Sequence, residues 1–186
     1  MLKAVNLATL LKPESASCFM TVFGEINDDV AQNVVSWILE ANYAEKPPDD
    51  LTMFVSSPGG SLPAAFAIID MMNGSSIPVR TIGIGEVASA GLLIFMSGQK
   101  GSRVLTPNTS IMSHQYFWGS ASKYHDLVAV RKEQDLVQSR LLKHIKKCTG
   151  LDDKRINKEL MPAHDVYMSA EEAKELGICD IVKNLK

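Results

Sequence analysis

The stretch LTMFVSSPGGSLPAAFAIIDMM, residues 51–72, decides the fold class. Leu51 to Ser56 is a short apolar run ended by Pro and paired Gly, which reads as a buried strand. Ser61 then offers a hydroxyl cap, and Leu62, Ala65, Phe66, Ile69 and Met72 recur at helical spacing behind it. The Ser56-Ser57-Pro58-Gly59-Gly60-Ser61 segment between them reads, on its own, either as a tight turn chosen for its geometry or as a loop in which glycine lets the backbone approach a ligand.

The same alternation continues on both sides. Upstream, Cys18 to Phe23 reads as a strand, and Asn27 caps a helix with Asp28 and Asp29 in its first turn and Val30, Val34, Ile38 and Ala41 on one face. Downstream, Val79 to Ile84, Arg103 to Thr106, Ile111 to Ser113 and a last run near Asp180 to Val182 read as strands, and a further helix is expected just past Ser89. Strands alternating with helices predict an α/β class with a substantially parallel sheet. In such sheets, chemistry collects on loops leaving the carboxyl ends of the strands.

The 186 residues are expected to form one domain, 1–186, with the Lys46-Pro47-Pro48-Asp49-Asp50 break as an internal loop. Hydrophobic residues make up 46% and charged ones 22%, an ordinary globular balance. Nineteen basic against twenty-one acidic side chains leave a formal charge of −2, which gives no reason to expect nucleic acid or an anionic membrane as partner. The apolar run at Leu7 to Leu11 is too short for a signal peptide, and no segment approaches the roughly 20 apolar residues of a membrane span. The three cysteines, Cys18, Cys148 and Cys179, form no Cys-x-x-Cys pair, so reduced thiols in the cytoplasm are expected, with neither a metal site nor a disulfide framework.

The longest predicted helix runs from about Ser122 to Thr149, ending before Gly150, a residue suited to a left-handed cap. At 1.5 Å per residue it would span roughly 40 Å, more than a small domain needs to cover itself. Its seam of Leu127, Val130, Val137, Leu141 and Ile145 is therefore expected to meet a neighbouring subunit, with a solvent-exposed arm as the alternative.

Three further segments carry chemical possibilities. In Gly85-Glu86-Val87-Ala88-Ser89-Ala90-Gly91, Ser89 sits among small residues on a strand-to-helix turn, as a nucleophile must, and the Ala90 N–H is placed to steady an oxyanion. A helix cap explains Ser89 equally well on its own. A serine needs a base, and of His114, His125, His144 and His164 the favoured one is His114, which closes an apolar strand; His164 is the alternative. Asp165 lies in the turn before a helix that Ser169 and Glu172 open with a capping box, where it is either an orienting carboxylate or a plain surface residue.

Together and in this order, the Ser-Pro-Gly-Gly loop, the Ala-Ser-Ala-Gly turn, His114-Gln115 and the Tyr167-Met168-Ser169-Ala170-Glu171-Glu172-Ala173 block resemble the proteolytic subunit family of the ATP-dependent Clp protease. The likeness spans about Phe19 to Val182, with matching intervals from Gly60 to Ser89 and from Ser89 to His114. The resemblance implies a ClpP/crotonase-type fold of stacked β-β-α units with a protruding handle helix, here about 122–149. It implies a serine endopeptidase with Ser89, His114 and Asp165 as triad, and an oxyanion hole from the backbone N–H groups of Gly60 and Ala90. It further implies peptide and unfolded-protein substrates held near Gly59 and Gly60. Stacked seven-membered rings are expected to work with a partner ATPase unfoldase or a second ring subunit, and no cofactor or metal is needed.

The chain departs from the family at two places. Met1 to Ser17 has no clear counterpart of the axial loop that docks the ATPase. Where the family has Pro and a Gly-rich strand after His-Gln, Tyr116, Phe117 and Trp118 stand here; Tyr116 and Phe117 are expected to shape the substrate groove, with a contact between rings as the alternative. The competing readings are a catalytically quiet ring subunit, a crotonase-type acyl-CoA enzyme and a Ser–Lys peptidase.

Overall fold

The computed structural model describes residues 18–117, 119 and 123–185. The readings placed on Met1 to Ser17, on Trp118 and on Ser122 as the start of the long helix lie outside the described residues. Within them the chain runs β1 (Phe19–Ile26), α1 (Asp28–Asn42), β2 (Leu51–Gly60), α2 (Leu62–Gly74), β3 (Val79–Ala88), α3 (Ser89–Met96), β4 (Arg103–Leu105) and β5 (Ser110–Ser113). It continues with α4 (Tyr124–Thr149), a short α5 (Asp153–Arg155) leading into a π-helical turn at Ile156–Leu160, β6 (Val166–Met168), α6 (Ala170–Glu175) and β7 (Ile181–Val182).

The helix caps are local in origin. Asn27 Oδ1 accepts the Val30 N–H at 2.9 Å, and Ser61 Oγ accepts the Ala64 N–H at 3.3 Å. Ser169 and Glu172 close a reciprocal capping box at α6, and Gly150 ends α4 at φ 81°. Behind these caps α1 buries Ala31, Val34, Trp37 and Ile38, and α2 buries Ala64, Ala65, Ile68, Ile69 and Met72.

The sheet is in order β1-β2-β3-β4-β7, all parallel, as the α/β pattern predicts. β3 forks: its first half, Thr81–Gly83, pairs with β4, and its second half, Glu86–Ala88, pairs with β5. Gly85, at φ 67°, stands at the fork. Two strands run further than the sequence pattern indicates. β2 continues through the glycine pair, because Glu25 and Ile26 of β1 still pair with Gly59 and Gly60; the expected loop is a distorted strand end with a register shift. β6, expected as a turn, is a three-residue strand that pairs antiparallel with β5.

The long helix, 26 residues, divides into two halves. Val137, Leu141 and Ile145, expected to face a neighbouring subunit, are instead buried in the chain's own core because this half of the helix covers the domain, while Leu127, Val128 and Leu136 are exposed. The carboxyl half packs on α3 and the amino half leaves part of its apolar seam uncovered.

Candidate active site

β3 and β5 lie side by side in parallel, with Ala88 opposite Met112. The residues just past those two strand ends, Ser89 and His114, therefore leave the sheet at the same edge. Ser89 Oγ and His114 Nε2 are 2.7 Å apart, a hydrogen bond. The antiparallel pairing of β5 with β6 sets Ser113 opposite Val166, which brings Asp165 beside His114 from the other side. His114 Nδ1 and Asp165 Oδ1 are 3.6 Å apart, within ion-pair range and longer than a hydrogen bond. The Asp165 side chain is 54% exposed, so its charge is largely solvated.

Ser89 is the one non-glycine residue among those described with positive φ, at 50°. This left-handed backbone at the first position of α3 turns the side chain out of the helix line, the geometry of a strand-to-helix elbow. Small residues make room for it. A Cβ on Gly59 would lie 2.6 Å from Ser89 Cβ and 3.1 Å from its Oγ, and one on Gly91 would lie 2.8 Å from Ser57 Cβ. Ala88 stands at the cap position of α3 and makes no side-chain cap, so no side chain before it occupies the first-turn N–H groups at the positive end of this helix. The Ala90 N–H is one of these, and its nitrogen would be 3.0 Å from a Cβ on Gly59.

The two glycines differ. Gly59 adjoins Ser89, and its N–H donates to Ser57 Oγ at 3.1 Å; Gly60 abuts the Ile26 backbone, 2.3 Å from a Cβ built there to the carbonyl oxygen. Of the aromatics after His114, Tyr116 lines the cleft beside Ser89, whereas Phe117 is 91% exposed. The rest of the cleft wall is largely apolar, with Leu62, Met96, Leu141, Ile145 and Met161 beside the Ser113 hydroxyl. His164, the alternative base, is exposed in the segment before β6, and His144 is buried on α4 with Nε2 3.0 Å from the Leu93 carbonyl.

Hydrogen bonds that the sequence reading missed hold the imidazole-bearing strand. Ser113 Oγ donates to the Leu160 carbonyl at 2.5 Å, Gln115 Nε2 to that of Met161 at 3.0 Å, and Tyr116 Oη to that of Gln134 at 3.0 Å. The polar residues flanking His114 were the available signal, but their partners are far along the chain. Among the described residues no cluster of three or more His, Cys, Asp or Glu side chains could hold a metal ion. The arrangement can deprotonate a hydroxyl beside main-chain donors, the chemistry of acyl transfer.

A family model described as Clp protease matches residues 9–185. The chain is 39% identical over 164 residues to the ATP-dependent Clp protease proteolytic subunit 1 of Bacillus cereus (strain ATCC 10987 / NRS 248), covering 87% of this chain and 82% of that one.

Proposed function

The chain belongs to the Clp protease family, and from that premise we propose that it is the peptide-cutting subunit of a Clp-type protease, a serine endopeptidase using Ser89, His114 and Asp165. The observation that carries this reading is the 2.7 Å contact between Ser89 Oγ and His114 Nε2 on a strained elbow.

In this mechanism His114 Nε2 takes the Ser89 hydroxyl proton as Oγ adds to the substrate carbonyl carbon. The oxygen of the tetrahedral intermediate is steadied by the main-chain N–H groups of Ala90 and Gly60. The imidazolium then returns the proton to the departing amine, leaving an acyl-serine. Water, deprotonated by the same imidazole, releases the new carboxyl end and restores Ser89. Asp165 orients the ring and balances its transient charge; at 3.6 Å it must close by under an ångström to donate full support. The apolar part of the cleft wall, Leu62, Met96 and Met161, favours an apolar side chain on the substrate.

A single peptidase domain in stacked seven-membered rings, fed by an ATPase unfoldase, accounts for the exposed apolar side chains of α4. Leu127, Val128 and Leu136 are the side chains a neighbouring subunit would cover. No helix among the described residues is long and apolar enough to cross a membrane, and the cytoplasm is the compartment this reading assigns. A second reading, a catalytically quiet ring subunit, is favoured by the long Asp165 contact alone. Labelling with a serine-reactive phosphonate, located by mass spectrometry, separates the two. Modification of Ser89 that disappears in His114→Ala supports the peptidase; an assembled ring that never reacts supports the quiet subunit. Sedimentation tests the ring itself, and a stable monomer would remove the chamber from the proposal.

A further inference from the structure

A second cavity, of about 350 Å³, lies at the opposite end of β3 from Ser89, where that strand begins. This volume is in the range of small-ligand sites, roughly 300–1,000 Å³. Its lining is about half polar: Met72, Ile77, Val79 and Met96, all nearly buried, contribute the apolar atoms, and Lys100, Arg103 and Lys147 stand among neutral polar groups. Among the described residues no Asp or Glu lines it. Arg103 is already committed to Asp180 through two hydrogen bonds. Lys147 Nζ donates to the neutral amide oxygen of Asn73 at 2.7 Å, and neither Lys100 nor Lys147 forms an ion pair with a described residue. Two ammonium charges thus stand at a recess of mixed lining that holds no carboxylate of its own, with Asp70 acting on His144 from outside that lining.

Cys148 and His144 mark the centre of this wall. Lys100, Lys147 and Arg103 all lie close enough to favour a Cys148 thiolate, yet burial wins and pushes the thiol up to about 11. Burial likewise lowers the His144 pKa. Near neutral pH neither side chain supplies a negative charge, so the recess keeps its positive field.

We propose that this cavity is a regulatory site for a small amphipathic carboxylate, held by the Lys100 and Lys147 ammonium groups with its hydrocarbon body over Met72, Ile77, Val79 and Met96. A charged head against two cations and a short apolar tail against the apolar part of the lining satisfy both. A neutral apolar ligand leaves the cations unanswered, and a small inorganic anion leaves the floor wet.

The regulatory part follows from shared elements. Met96 lines both this cavity and the cleft at Ser89, and α3 runs directly from one to the other. Helix α4 gives Leu141 and Ile145 to the cleft and His144, Lys147 and Cys148 to the cavity. A ligand that draws α4 toward the end of α3 changes the packing behind the nucleophile. The binding claim stands without Ser89 chemistry; the effect on the cleft rests on the proposed peptidase reading.

The test is calorimetric titration of the intact chain with sodium octanoate, with octanamide as a control lacking the charge. Octanoate is expected to bind saturably, octanamide and Lys100→Met/Lys147→Met at least about tenfold more weakly. Circular dichroism checks the fold of the double variant, and Lys100→Glu, at an exposed position, provides a second variant with the same expected loss. Methyl NMR of methionines is expected to shift Met72 and Met96. Equal binding of acid and amide, no saturation at millimolar octanoate, or shifts confined to other methionines would overturn the site. At saturation the rate of Ser89 phosphonylation is expected to change about fivefold or more. An unchanged rate with octanoate bound would overturn the regulatory role, and a chain whose Ser89 never reacts would count against the peptidase while leaving the titration decisive for binding.

Discussion

The Arg103 guanidinium grips the Asp180 carboxylate with two hydrogen bonds, 2.6 Å from Nη2 to Oδ1 and 2.9 Å from Nε to Oδ2. The same carboxylate accepts the backbone N–H groups of Gly101 and Arg103, and Arg103 Nη1 donates to the Cys148 carbonyl at 3.0 Å. Arg103 is 2% exposed, so this pair ties β4, the approach to β7 and the end of α4 together inside the protein.

Removing the carboxylate strands a buried cation. Asp180→Ala is expected to cost about 3–5 kcal/mol of stability, read by denaturant unfolding. Burial alone would raise the Asp180 pKa, but the hydrogen bonds from Arg103 and Gly101 outweigh it and hold it below the usual carboxylate value. A carboxylate depressed in the folded state contributes stability above its unfolded pKa of about 3.9, and that contribution is lost as pH falls through the lower folded value. The wild-type chain is expected to lose stability below about pH 4 more steeply than Asp180→Asn.

Gly59→Ala tests the crowding at Ser89, the proposed nucleophile. The new Cβ would lie 2.6 Å from Ser89 Cβ, at a backbone φ of 105° that alanine avoids. Displacing Ser89 by about an ångström is expected to reduce peptidase turnover by about a hundredfold. Phosphonate labelling should fall in parallel, while circular dichroism stays close to wild type.

Asp165 and His114 should not be equivalent. Ser89 contacts the imidazole directly, while the carboxylate is 3.6 Å away and half exposed. Asp165→Ala is therefore expected to retain about ten- to a hundredfold more activity than His114→Ala. Steady-state cleavage of a short chromogenic peptide measures the difference; equal losses would mean that the carboxylate closes fully during catalysis.

Tyr116 joins the His114 segment to α4 through its hydroxyl and shapes the cleft with its ring. Tyr116→Phe is expected to cost about 1 kcal/mol in stability and to lower kcat a few-fold with KM nearly unchanged. Tyr116→Ala, which removes the cleft wall as well, should raise KM for peptides with apolar side chains.

Much of this architecture was readable from local chemistry. Asn27, Ser61, Ser169 with Glu172, and Gly150 mark helix ends because each satisfies backbone groups within a few residues. Features made by distant partners were not. Arg103 and Asp180 are 77 residues apart, and no local pattern pairs them. β6 is three residues long and exists because β5 offers it an edge. The glycine pair read as a loop because Gly and Pro usually break strands, yet β1 keeps pairing with it. At the site, the sequence selected Ser89, His114 and Asp165 by motif, while the clamps from Ser113, Gln115 and Tyr116 depended on the path of residues 134–161.

The left-handed turn at Ser89 stores backbone strain at one position. A serine there carries about 1–2 kcal/mol that a glycine would not. On the proposed peptidase reading, exchanging Ser89 for glycine would relax the backbone there while forfeiting both the nucleophile and its bond to the imidazole.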